Sequence, residues 1–192
     1  MPHDLRDIPE TWTVHEQERI WDGRAPFAVR RDELSAPGET ERFSRVVVEH
    51  PGAVVVLALD DEERAFVLTQ YRHPVGMRLV ELPAGLLDQP GEEPRAAAER
   101  ELREEALLLA SDWTELLATY STPGIIAERI TYFVARGLSA APDRDGFVPR
   151  HEEAHMSTGW VPVDELLRGV LAGELADGPL AQAVMAHALR QR

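Results

Sequence analysis

The chain contains no cysteine, no lysine and no asparagine among its 192 residues. Without cysteine there are no structural disulfides, no thiolate zinc sites and no thiol nucleophiles. Without lysine, all 20 basic residues are arginine, so every fixed side-chain cation is a planar guanidinium able to grip a carboxylate or phosphate at two points. No apolar run approaches the roughly 18 residues a membrane-spanning helix needs. The opening stretch MPHDLRDIPE is too charged for a signal peptide, and a cytoplasmic protein is expected. Positive charge is also in deficit: 20 basic against 34 acidic residues give −14 at pH 7. Such a surface excludes a nucleic-acid backbone as partner. An acidic protein that handles anionic substrates needs metal ions to bridge the repulsion.

What is present is ordinary for a globular chain, with 44% hydrophobic and 28% charged residues. Residues 12–34 alternate loosely around the turn-like Asp22-Gly23 and read as a hairpin. ERFSRVVVEH reads as a further strand, and AVVVLALD is the β-branched run of a buried one. AFVLTQYR is another strand, and RLVELPAG a short strand that stops at Pro83 and Gly85. A helix is expected from about Glu93 to Ala110, with Pro94 in its first turn. Strands follow at TELLATYS and ITYFVARGL, then a polar loop, a strand around TGWVPV, and helices at DELLRGVLAG and LAQAVMAHALRQR. Mixed strands with three helices predict an α/β sandwich preceded by a β-rich extension over the first 45 or so residues.

The first of these helices concentrates the chemistry. Successive helical residues turn by about 100°. With Ala98 at zero, Leu102, Ala106 and Leu109 fall at about 40°, 80° and 20°, a single apolar stripe. Glu105 lands inside that stripe at about −20°, flanked by Glu101 near −60° and Glu104 near −120°. A solvated helix stitched by i,i+4 pairs such as Arg100 with Glu104 accounts for Glu99 and Arg103. It does not account for Glu105, because an unpaired carboxylate on an apolar face is costly. Buried like charges call for a cation, and hard oxygen donors suit Mg²⁺ or Mn²⁺.

GLLDQPGEEPRAAAERELREEALL resembles the signature of the Nudix hydrolases: a glycine, five residues, a glutamate, seven residues, then Arg-Glu-aliphatic-any-Glu-Glu-any-Gly-aliphatic. Here six residues separate Gly85 from Glu92, and seven more lead to Arg100-Glu101-Leu102-Arg103-Glu104-Glu105-Ala106. The extra residue falls in a loop, where insertion costs little. Leu107 stands where the second glycine would, and a helix running on past that point is expected. Neither departure touches a glutamate. QYRHPVGMRLVELPAGLLD is similar to the lead-in of the ADP-ribose pyrophosphatases of this family. Those enzymes tend to carry a proline about sixteen residues beyond the second box glycine, the position of Pro123.

The resemblance implies a Nudix α/β/α sandwich of mixed sheets over residues 46–192. Residues 1–45 would form an extension that helps build a homodimer. It implies Mg²⁺-dependent hydrolysis of ADP-ribose or a related nucleoside diphosphate sugar to AMP and ribose 5-phosphate. Glu101, Glu104, Glu105 and the Ala84 carbonyl would hold the ions, and Arg100 would orient a glutamate. Arg72 would contact the diphosphate, unless it is simply a surface strand arginine, and Glu128 in PGIIAER would touch substrate. Glu152 or Glu153 would activate the attacking water, and the residues do not choose between them. Trp12, Trp21 and Phe27 could stack on an adenine, although core or dimer contacts account for them as well.

Two rival readings stand beside this one. His151-Glu152-Glu153-Ala154-His155 matches the zinc metalloprotease pattern, but that chemistry needs a helix to put both imidazoles on one face, and the segment lies between Pro149 and Gly159. A non-catalytic Nudix-like module that senses a nucleotide is the other, with Leu107 as its support.

Overall fold

A computed structural model describes residues 5–23 and 26–191. It divides into two compact units: one comprises the residues up to His50 together with 122–127, and the other residues 51–121 and 128–192. The first holds a three-stranded antiparallel sheet, β1 (Thr13–Trp21), β2 (Ala28–Ser35) and β3 (Phe43–Glu49), in that order. The expected hairpin is β1 paired with β2, Thr13 opposite Ser35 and Trp21 opposite Val29. Every residue of β1 is exposed. Buried Asp32 is held on β2 by both oxygens to Arg30 Nε, at 2.9 and 3.0 Å.

The second unit is built around β4 (Ala53–Ala58), buried along its whole length. Period-two alternation explains why an unbroken apolar strand is needed there. Val54, Val56 and Ala58 pack on one face with Ala97, Ala98 and Leu102. Val55, Leu57 and Leu59 pack on the other with Leu166, Leu180, Ala183 and Val184. The strand therefore lies between two helical layers, the α/β/α sandwich expected from the sequence. Its sheet runs β7 (Ala84–Leu86), β4, β9 (Arg129–Ala140), β8 (Leu108–Tyr120), with β4 and β9 parallel and the other pairs antiparallel. A second sheet pairs β10 (Ser157–Pro162), β5 (Arg64–Arg72) and β6 (Met77–Glu81). The helices are α1 (Pro94–Ala106), α2 (Val163–Leu171) and α3 (Gly178–Arg190). Asp177 caps α3 by accepting from Leu180 N at 2.7 Å. Among the described residues no helix is long and apolar enough to cross a membrane.

One helix boundary departs from the sequence reading. α1 stops at Ala106 instead of running toward Ala110, and Leu107 takes the left-handed conformation, φ 54° and ψ 38°. Leu109, assigned above to the helix's apolar stripe, belongs instead to β8 and is exposed. The physical reason is the turn: Leu107 N–H caps the Arg103 and Leu102 carbonyls, and its own carbonyl accepts from Ala141 N at 2.8 Å. The chain thereby turns directly into a strand paired with β9. A leucine meets the backbone requirement of the family's glycine and carries the strain of doing so.

Candidate active site

The site is assembled where α1 lies beside β7. Pro83 ends the run of β6, and its carbonyl accepts from Val56 N at 2.8 Å, which anchors the start of β7 against β4. Ala84 N–H then donates to Glu105 Oε2 at 2.9 Å. Gly85 follows, and a side chain added there would overlap the Glu101 carboxylate. The first glycine of the motif is thus a spatial requirement: β7 must pass close enough to α1 for Glu101 to lie against bare backbone.

The long side chain of Arg100 folds back across the helix. Nε and Nη2 bind Glu92 at 3.0 Å each, and Nη1 reaches Glu101 at 2.5 Å and Glu104 at 3.5 Å. Nη2 also lies 3.4 Å from the Leu86 carbonyl. One guanidinium therefore joins the Glu92 loop, β7 and two helix glutamates. The Glu92 contact, then the neighbouring carboxylates, hold the Arg100 guanidinium firmly cationic.

The carboxylates carry the cost of this crowding. Glu101, only 9% exposed, is pushed up to about 7, first by burial and then by Glu104 and Asp88, against the opposing pull of Arg100. Glu105 is pushed up to about 8, chiefly by burial and further by the charges of Glu101 and Glu153, despite the Ala84 N–H. Glu104 is raised as well, by partial burial and by Glu153 and Glu92, with Arg100 opposing. Three partly dehydrated carboxylates share one helix flank with too little positive charge among them. That donor set is hard, anionic and under-neutralised, and it fits a divalent cation. Among the described residues no three such groups already converge as a metal cage. Glu101 and Glu104 lean toward Arg100, and Glu105 toward Ala84.

The loop glutamates separate clearly. Glu153 lies close enough to Glu104 and Glu105 for its charge to raise both. Glu152 instead lines an open pocket of about 510 Å³ with Tyr71, Arg78, His151 and His155. The His-Glu-Glu-Ala-His segment is a turn followed by a single 3-10 turn, Glu153–His155, and His151 sits at φ 49°. Without an α-helix the two imidazoles do not share a helical face, so the protease geometry is lacking. The loop that leads into this segment is clasped to α1: Arg103 binds Asp143 at 2.6 Å and Asp145 at 3.1 Å, and Arg144 donates to the Glu104 carbonyl.

Arg72 binds Glu81 through Nε at 2.8 Å and Nη2 at 2.6 Å, and the charge of Glu105 reaches it. Glu128 lies just before β9, where its charge bears on the buried Tyr132 hydroxyl. The sequence reading did not single out Glu81, which is buried here, or Asp177, which is half-buried. Asp177 is pushed up to about 6, first by burial and then by Glu81. Neither stands in a repeating pattern with the helix glutamates. Their positions at the ends of β6 and the start of α3 were the only signals in the sequence.

An α/β/α sandwich presenting a glutamate-rich helix against a glycine of a neighbouring strand is the arrangement of the Nudix hydrolases. The NUDIX domain matches residues 49–183, and the chain belongs to that family of enzymes. It is 44% identical over 166 residues to the ADP-ribose pyrophosphatase of Mycobacterium tuberculosis, covering 86% of this chain and 78% of that protein. To the ADP-ribose pyrophosphatase of Bacillus subtilis it is 32% identical over 175 residues, 91% of each. A GDP-mannose pyrophosphatase of an Enterobacter species is 28% identical over 73% of this chain and 75% of its own length. The fold matches a crystal structure of an ADP compounds hydrolase with a TM-score of 0.77, covering 95% of both chains at 20% identity.

Proposed function

We propose that this Nudix hydrolase cleaves the diphosphate bond of ADP-ribose or a closely related nucleoside diphosphate sugar, in the cytoplasm, with Mg²⁺ as its cofactor and Mn²⁺ as a substitute. The observation that carries this reading is the set of three under-neutralised carboxylates on one flank of α1. The high identity to two ADP-ribose pyrophosphatases supports the choice of substrate. Glu101, Glu104, Glu105 and the Ala84 carbonyl are the groups that would hold the metal. When bound, it would neutralise the diphosphate and lower the pKa of the attacking water.

The remaining roles belong to the chain itself. Arg100 restrains Glu101 and Glu104 by ion pairing. Arg72 donates to the phosphoryl oxygens, and Glu128 contacts the substrate. Glu153 accepts the proton of the attacking water, because it is the loop carboxylate whose charge is felt at Glu104 and Glu105. Glu152, in the neighbouring pocket, is left out of this step. The water oxygen bonds to one phosphorus as the bridging P–O bond breaks, releasing AMP and ribose 5-phosphate.

A homodimer built through the N-terminal residues completes the reading. A small sheet whose edge strand β1 is exposed throughout, with Trp12, Val14, Ile20, Trp21 and Phe27 all open, needs a covering surface to be stable. Sedimentation should give about twice the chain mass of 21.4 kDa; a monomer at micromolar concentration discards the dimer.

The test is turnover of ADP-ribose with and without Mg²⁺, beside GDP-mannose, NADH and 8-oxo-dGTP. Mg²⁺-dependent release of AMP, fastest from ADP-ribose, is expected. A faster rate with another compound overturns the substrate assignment and leaves the chemistry. Tight ADP-ribose binding with no turnover of any compound would mark a sensor.

A further inference from the structure

Arg72 and Glu81 are the last residues of β5 and β6. The antiparallel register sets Arg72 opposite Met77 and Glu81 opposite Leu68. The arginine side chain must therefore run back along the sheet to reach its partner. It meets the carboxylate with its edge, Nε to Oε1 and Nη2 to Oε2. The exposure of the pair is lopsided: the Glu81 side chain is 5% exposed and that of Arg72 46%. A plain surface ion pair is open at both ends and adds little. Here the carboxylate is a buried anchor and the guanidinium is the tip that reaches solvent. Among the described residues Nη1 makes no hydrogen bond, so its donors remain for a ligand. The nearby Asp177 carboxylate is turned to the α3 cap and binds Leu180 N, so it does not hold Arg72 in Glu81's place.

We propose that Glu81 is a positioning residue for the diphosphate: it fixes the Arg72 guanidinium edge-on, so that its free edge, Nη1, is presented before substrate arrives. This rests on the diphosphate reading above and adds to it the group that holds the arginine. A guanidinium already fixed does not lose its rotamer freedom on binding, and a planar fork held at one edge can direct the other. Glu81 touches no substrate atom and acts only through Arg72.

The test is a double-mutant cycle read by calorimetric binding of inorganic pyrophosphate, with ADP-ribose turnover measured alongside. Arg72→Ala should weaken pyrophosphate binding by about tenfold or more, and Glu81→Gln by a similar factor. The double variant should lose no more than Arg72→Ala alone, because the two residues act as one unit. Glu81→Asp keeps the buried charge and guards against a folding failure, and its shorter reach should also weaken binding. Multiplying losses in the double variant, or unchanged binding in folded Glu81→Gln and Glu81→Asp, would overturn the inference. A wild type that binds pyrophosphate but does not cleave ADP-ribose fails the substrate reading while the cycle still decides Glu81. A wild type that does neither overturns both.

Discussion

As a carboxylate, Glu105 is favoured by the Ala84 N–H and the charge of Arg72, but burial, Glu101 and Glu153 outweigh them. Its carboxyl is raised to about 8 and that of Glu101 to about 7, against an ordinary value of 4.5. Between those values the metal-free folded chain binds more protons than the unfolded one. Their combined contribution is therefore most favourable below about 4.5 and is lost as pH rises through 7 and 8. The metal-free protein should melt at a higher temperature at pH 6 than at pH 8.5, measured by calorimetry in chelator. The difference should shrink in Glu105→Gln, and an unchanged difference would remove the claim that this group is strained. The same variant should lose roughly a hundredfold or more in Mg²⁺-dependent turnover while melting no lower than wild type at pH 8.5. Gly85 bears on the site from the other side. Gly85→Ala should fold, since the position is not among the glycines at positive φ. Its new methyl displaces Glu101, and Mg²⁺ affinity by calorimetry should fall about tenfold; unaltered affinity would mean that Glu101 is not a ligand.

At the scale of elements, α1 is positioned at both ends. Its first turn carries Pro94, and Glu92 just before it is tied to Arg100. Its last turn closes on Leu107, a leucine held at φ 54° and 37% exposed. A glycine adopts that conformation freely, and the leucine side chain buries little. Leu107→Gly should therefore stabilise the protein by about 1 kcal/mol in urea unfolding, with turnover unchanged. Destabilisation would show that the side chain packs better than its exposure implies. The end of α1 matters because Arg103 reaches from it to Asp143, and Arg144 reaches back from the same loop, which leads to Glu153, to the Glu104 carbonyl. The length of the helix was misread from sequence for a local reason. Leu109 falls back on the apolar stripe at about 20°, Leu108 and Ala110 beside it are apolar too, and no glycine or proline marks the stop. The β8 pairing with β9, a contact between residues about thirty positions apart, overrides the local pattern. Likewise β7 was not seen as a strand in its own right, because three residues after a proline carry no periodicity.

For the molecule as a whole, a net charge of −14 would oppose binding of the proposed anionic diphosphate, and a bound cation would answer both that repulsion and the strain in α1. Mg²⁺ should raise the melting temperature of the folded chain, and by more at pH 8 than at pH 6, where protons occupy the same carboxylates. An equal rise at both pH values would place the stabilising ion elsewhere. Much of this was legible in the sequence. The spacing from Gly85 through Glu92 to Arg100 and the three glutamates beyond pointed to the family and its class of enzyme, and the β-branched run of β4 among mixed strands and helices to the sandwich. Those features are local or periodic, so one strand of text contains them. Which loop glutamate faces α1, where Arg100 points, why Gly85 must be glycine and what holds Arg72 were decided only by the tertiary structure. Each depends on distance between residues far apart in the chain, and on the loss of water around charges, which only packing creates.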